Sequence, residues 1–325
     1  MRILHFGFTA ASVVCLATSV FAFGTIRSLG QDAEHERITR HAFTCANGLS
    51  DDCFEKDTLD MLAGDKGSFG AVGIPDSGPM IVEPKTHCDR GDFLDVPGYP
   101  QSLSDANAAL AECRAWMVEQ LEEAVKDADR LVDKNGEIQS GEIPTILSCV
   151  FAGTQKGRAK CNVLEDLGIL LHAAQDFYAH TNWTDREDSS LPVGPDNPPG
   201  LANDGVSPWI DLRRAASPVP PGLISGCFEL IPEDSHCNYG DGNKLHRVKH
   251  MWLQKDEGKI DPDYGAGKTD RGKINDNFKR AVEAAVLDSK DKWLTLREKL
   301  VSTYGETRGS KMICALTRDD PMDDC

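Results

Sequence analysis

The sequence predicts an all-α fold, one helical domain with long disulfide-bonded loops. Three observations carry that expectation. Asn162 to Trp183, NVLEDLGILLHAAQDFYAHTNW, is an unbroken run of helix formers that is apolar nearly all round, the pattern of a helix buried on every side. Two further stretches, Ser104 to about Asp133 and Arg271 to Tyr304, place apolar residues at helical spacing. The chain also shows no internal repeat and no low-complexity linker that would divide it.

Taken in order, residues 1–22 carry Arg2 and then an apolar run that ends in Val20, Phe21 and Ala22. This is the pattern of a secretory signal cleaved after Ala22, too short to span a membrane, and it leaves residues 23–325 as the domain of a secreted protein. Cys15 leaves with the signal, so ten of the eleven cysteines remain. An even number in an oxidising compartment predicts five disulfides, and sequence neighbours suggest Cys45 with Cys53, Cys88 with Cys113, Cys149 with Cys161, Cys227 with Cys237, and Cys314 with Cys325. The formal charge of −17 becomes −18 once Arg2 is removed, with no basic cluster to offset it. Attraction to duplex nucleic acid is therefore not expected.

Gln31 to Ala46 reads as a helix capped by Asp32, with His35 and His41 on different faces. Cys45 to Gly98 is rich in Gly, Pro and Asp and reads as loop. Its end, HCDRGDFLDVPGYP, crowds His87, Asp89, Asp92 and Asp95 together, although Asp and Gly are also ordinary turn residues. The long helix from Ser104 is a scaffold, with Leu110, Met117, Leu121 and Leu131 among its apolar positions, and Gly141 to Gly153 is a shorter helix or turn.

The central helix then starts at a cap, Asn162, with Glu165 placed to bond back to it. Along it His172, Asp176 and His180 recur every four residues, within a stripe roughly 80° wide. A buried stripe of two imidazoles and a carboxylate is costly without partners, and metal ions are the most economical ones. His172 and His180 are separated by about 12 Å of helical rise. They cannot share one ion, so Asp176 between them is placed to bridge two.

Residues 184–222 form a long loop rich in Pro, Gly, Asp and Ser, of the length that usually serves as a lid or binding loop, with Trp209 and Ile210 its apolar members. Lys244 to Asp261 brings His246, His250 and Asp256, further nitrogen and oxygen donors for a second or third ion. The helix from Arg271 closes the core through Phe278, Val282, Ala285, Leu294 and Leu300, and a disulfide pins the acidic tail.

GQDAEHERITRHAF, CDRGDFLDVPGYPQS, LGILLHAAQDFYAHTNW and KHMWLQKDEGKIDP together resemble the CinY family of secreted bacterial proteins, over most of the mature chain. LHAAQDFYAHTNW is also similar to the HET-C family and, more distantly, to the zinc-dependent phospholipases C and P1-type nucleases, all-α domains that hold three zinc ions. The resemblance implies a phospholipase C/P1 nuclease-like fold and a metal-dependent phosphodiester hydrolase with two or three zinc ions. It implies His35, Asp92, His172, Asp176, His180 and His250 as ligands. Asp256 joins them by its place after His250, and Asp92 is an equal candidate for the base that orients the attacking water. The expected substrate is a phospholipid or other phosphodiester, with peripheral membrane contact and no obligate protein partner. A non-catalytic, metal-stabilised protein and a P1-type single-strand nuclease are the alternatives. The chain departs from the pattern at its predicted mature start, Phe23 where the enzymes have tryptophan, and in the six-residue step from His250 to Asp256.

Overall fold

Ala159–His180 folds as one helix with all of its residues buried, and most of the other described helices pack against it or against its neighbours. The computed structural model describes residues 23–27, 31–46, 48–65, 68–143, 149–151, 157–228, 237, 246–260 and 265–325; the proposed signal, residues 1–22, and part of 141–153 lie outside the described residues. In chain order the helices whose bounds fall among the described residues are α1 (Glu34–Phe43), α2 (Lys56–Ala63), α3 (Pro84–His87), α4 (Leu103–Asp127), α5 (Ala159–His180), α6 (Asp270–Lys273), α7 (Asn277–Tyr304), α8 (Glu306–Thr317) and α9 (Pro321–Asp324). Among the described residues β pairing is confined to isolated bridges, so the all-α expectation holds. No described helix is long and apolar enough to cross a membrane.

α4 lies along one side of α5 and α7 along another, with α8 packed on α7. Leu110, Met117 and Leu121 from α4, Leu164, Leu167 and Leu171 from α5, and Phe278, Val282 and Leu296 from α7 share one apolar core. Leu294, expected in that core, is instead exposed. All five disulfides pair as the sequence neighbours suggest, which fits an oxidising compartment. The Cys88–Cys113 bridge fastens the loop after α3 to α4.

The helix ends differ from the expected ones. α5 begins three residues before Asn162, and its first N–H, at Ala159, donates to Glu142 Oε2 at 2.7 Å, while Asn162 Oδ1 accepts from the Gly157 N–H at 2.8 Å. A carboxylate from the preceding segment thus serves the first orphan donor of α5, and Asn162, lying inside the helix, is not its cap. Asp32 does not cap α1; Ala33 holds that position in the left-handed region. The long C-terminal helix is broken between α6 and α7, where Asn275 and Asp276 have φ of 48° and 59°. Residues 246–250 are not a helical turn. His246 pairs with Asp196 at the surface, and only 250–252 coil, as a short 3-10 turn.

The loop 184–222 is strapped down. Arg114 of α4 donates to the Trp209 and Arg214 carbonyls, and Arg280 of α7 to those of Thr184, Ala202 and Asn203. Asn182, at the end of α5, donates through Nδ2 to the Pro199 and Gly222 carbonyls, both at 2.9 Å, and is itself fully buried. Trp209 and Ile210 pack into the core, Trp209 with its ring 6.1 Å from Phe177.

Candidate metal centre

The α5 stripe meets donors from four other segments. At its inner end His172 Nε2 lies 3.0 Å from Asp176 Oδ2 and His87 Nδ1 lies 3.0 Å from the same oxygen. Asp176 Oδ1 faces His35 Nε2 of α1 at 3.2 Å and His180 Nε2 at 3.9 Å. Asp76 Oδ1 stands 3.7 Å from His172 Nε2 and 4.0 Å from His87 Nδ1. At the outer end Asp256 spans two imidazoles, Oδ1 to His180 Nε2 at 3.2 Å and Oδ2 to His250 Nε2 at 3.1 Å, while Asp89 Oδ1 lies on their far side. All of these side chains are buried, and Asp76, at 8% exposure, is the least so.

Local sequence explains how the donors arrive. A side chain at Gly168 would place its Cβ 2.4 Å from the Ala71 carbonyl carbon and 2.7 Å from Val72 N, so glycine lets residues 71–72 cross α5 one turn before His172. The Val72 carbonyl then accepts from His172 Nδ1 at 2.8 Å, and the same segment delivers Asp76. Gly226 does the equivalent outside: a Cβ there would sit 2.4 Å from His250 Cα. Gln175 orients His35, with its Oε1 2.7 Å from Nδ1, and is held in turn by Thr39 and Ser289.

A metal fits this donor set. Carbonyl oxygens only accept, so the Nδ1 of His172 and of His180, 2.7 Å from the His87 carbonyl, carry hydrogens and leave Nε2 with its lone pair toward the carboxylates. His35 Nε2, His180 Nε2, Asp176 Oδ1 and Asp256 Oδ1 are buried without hydrogen-bond partners, and they converge. Orphaned buried polar atoms are costly, and a divalent cation between them satisfies several at once. Three groups have donor atoms close enough to hold an ion: His35, His172 and Asp176; Asp76, His87 and His172; and Asp89, His180 and His250.

The electrostatics agree. Burial would raise the Asp176 carboxyl, but the charges of His172, His180 and His35 hold it well below the usual carboxylate range. For Asp89 the same opposition, with His180 and His250 winning over burial, ends at about 2. Burial pulls His250 down, yet Asp89 and Asp256 push it up to about 9. His180, His35 and His87 rise against burial for the same reason, the nearby carboxylates. Without metal, protons supply the positive charge that ions would bring.

Of the residues expected from sequence, His35, His172, Asp176, His180, His250 and Asp256 come together here. Asp92 does not. Its carboxylate accepts from Arg247 Nε at 2.9 Å and from Tyr99 Oη at 2.6 Å, and a carboxylate occupied by a guanidinium is neither a free ligand nor a base. Asp76, His87 and Asp89 reach the cluster instead, and only the crowding of 87–95 hinted at two of them. The chain matches no family model, and no curated protein or solved structure matches it.

Proposed function

We propose that the chain is a secreted zinc-dependent phosphodiester hydrolase of the phospholipase C type, using two or three zinc ions. The observation that supports this most is the convergence of unpartnered buried atoms on Asp176, whose two oxygens face different pairs of imidazoles. That geometry suits a carboxylate bridging neighbouring ions. Imidazole and carboxylate donors without thiolate suit zinc. Ions held by these residues would supply a clamp for phosphoryl oxygens and a water acidic enough to attack in line. The protein's own contribution is orientation: Val72, Gln175 and His87 fix the imidazole tautomers, and Asp176 and Asp256 set the spacing. The acidic surface favours a zwitterionic phospholipid over nucleic acid.

The complete burial of the donors favours a second reading, a metal-stabilised protein with no open coordination position. Release of phosphorylated headgroup from phosphatidylcholine and of nucleotide from single-stranded DNA, measured side by side with chelator and His172→Ala controls, separates the readings. Chelator-sensitive headgroup release that the variant lacks supports the phospholipase. Nucleotide release alone means a nuclease, and neither, in a folded zinc-loaded sample, means a structural metal.

A further inference from the structure

Asp89 has two possible relations to an ion at the outer end. Its Oδ1 lies 3.4 Å from His180 Nδ1 and 3.2 Å from His250 Nδ1, close enough for the three atoms to surround an ion directly. The opposite edges of both rings face Asp256 at 3.2 and 3.1 Å. An imidazole nitrogen that carries a hydrogen cannot ligate, so the location of the Nδ1 hydrogens decides between the two sides.

For His180 the decision is fixed by the His87 carbonyl, 2.7 Å from Nδ1, which can only accept. Its Nε2 is a buried orphan beside Asp256 Oδ1, another orphan. An ion on the Asp256 side satisfies both, whereas an ion on the Asp89 side would displace the hydrogen from the carbonyl and leave both unsatisfied. The His250 ring stands edge-on to His180, with centroids 4.4 Å apart and planes at 70°. Its two nitrogens are divided between the same two carboxylates. We infer that Asp89 is the positioning residue of the outer ion: one oxygen faces the Nδ1 edges of both rings, holding both Nε2 atoms toward Asp256, and does not itself bind metal.

The backbone is built to aim that oxygen. Cys88 and Arg90, the neighbours of Asp89, both lie in the left-handed region with φ of 57° and 67°, a conformation that ordinary residues keep only when their surroundings impose it. Here the Cys88–Cys113 bridge holds one side and the Arg90 N–H, donating to the Gly226 carbonyl at 2.7 Å, holds the other. The Asp89 N–H donates to the Pro84 carbonyl at 3.0 Å. Asp89 is thus fixed before any ion arrives, and the two imidazoles, one from a helix and one from a loop, are set against a common reference.

The inference rests on the metal reading, and its test keeps the two apart. In zinc-loaded protein labelled with 15N-histidine, long-range proton–nitrogen spectra should show His180 and His250 bound through Nε2 with hydrogens on Nδ1. Zinc titrations of Asp89→Ala should then weaken one ion by about 10–100-fold, the usual effect of losing such an outer carboxylate, and leave the others unchanged. Asp89→Asn, which keeps an acceptor, should recover much of that loss. Ligation through Nδ1, or unchanged zinc affinity in Asp89→Ala, would overturn the role of Asp89 while leaving the metal reading intact. A wild-type protein that binds no zinc would overturn the metal reading itself. Should Asp89→Ala fail to fold, the wild-type spectrum alone decides the ligating nitrogen.

Discussion

The two ends of the buried stripe are built by different means. The inner end is made mainly by helices: His172 and Asp176 share a face of α5, His35 comes from α1 and His87 ends α3, with Asp76 supplied by the crossing that Gly168 admits. Only His180 at the outer end belongs to an α-helix; Asp89 and Asp256 lie in loops and His250 opens a short 3-10 turn, held by left-handed residues, a disulfide and a glycine contact. Helical registry holds donors through many backbone bonds at once, whereas a loop donor depends on a few specific ties. The inner end should therefore bind its metal more tightly and lose it more cooperatively than the outer end.

Asp176→Asn attacks the residue common to both, and should remove more than one zinc equivalent by elemental analysis of the purified protein. Loss of a single equivalent would make Asp176 a terminal ligand and erase the link between the ends. Next in size is His250→Ala, expected to cost one equivalent from the outer end and none from the inner. If all zinc disappears with His250, the ends are one cooperative unit and the contrast fails.

pH sharpens the contrast further. With His250 raised to about 9 from its ordinary 6.5, folding of the metal-free protein binds a proton that the unfolded chain does not hold. That stabilisation is present below about pH 6.5 and fades as pH rises through 9. Urea unfolding of metal-free protein should show a falling midpoint across this window. Zinc-loaded protein, whose imidazoles are already neutral ligands, should not, and an equal fall in both forms would remove His250 from the coordination sphere.

The smallest expected effect on metal is that of Asp92→Asn. Zinc content should stay at the wild-type value, while stability drops by about 3 kcal/mol because the buried Arg247 guanidinium loses the Asp92 carboxylate. Lost zinc with unchanged stability would restore Asp92 to the site.

Asp92 also marks where sequence reasoning ran out. His172, Asp176 and His180 are legible because helical periodicity converts spacing into a shared direction, and the pairing of neighbouring cysteines is legible because short loops bring them together. Asp89, Asp92 and Asp95 recur every three residues, but in a loop that spacing sets no common direction. The turns at Cys88 and Arg90 send Asp89 inward, while Arg247, 155 residues away in sequence, captures Asp92. Asp76 carried no local signal at all, since its approach depends on the absent side chain of Gly168. The helix caps failed for a related reason: Glu142, distant in sequence from Asn162, accepts from the first N–H of α5 at Ala159, and the helix begins three residues before the expected cap.

The amide of Asn182 ties the end of α5 to the middle and the far end of the 184–222 loop, and it is also the acceptor nitrogen of the sequence Asn-Trp-Thr. In the folded protein that nitrogen is unreachable, so glycosylation and folding compete for a single atom. A host that attaches a glycan during synthesis would commit the chain before Asn182 could bind the Pro199 and Gly222 carbonyls, and such a chain could not close its loop. Material secreted from a glycosylating host should therefore divide into an unmodified folded fraction and a modified fraction retained or degraded, with Asn182→Gln unable to rescue the second because it misplaces the same two bonds.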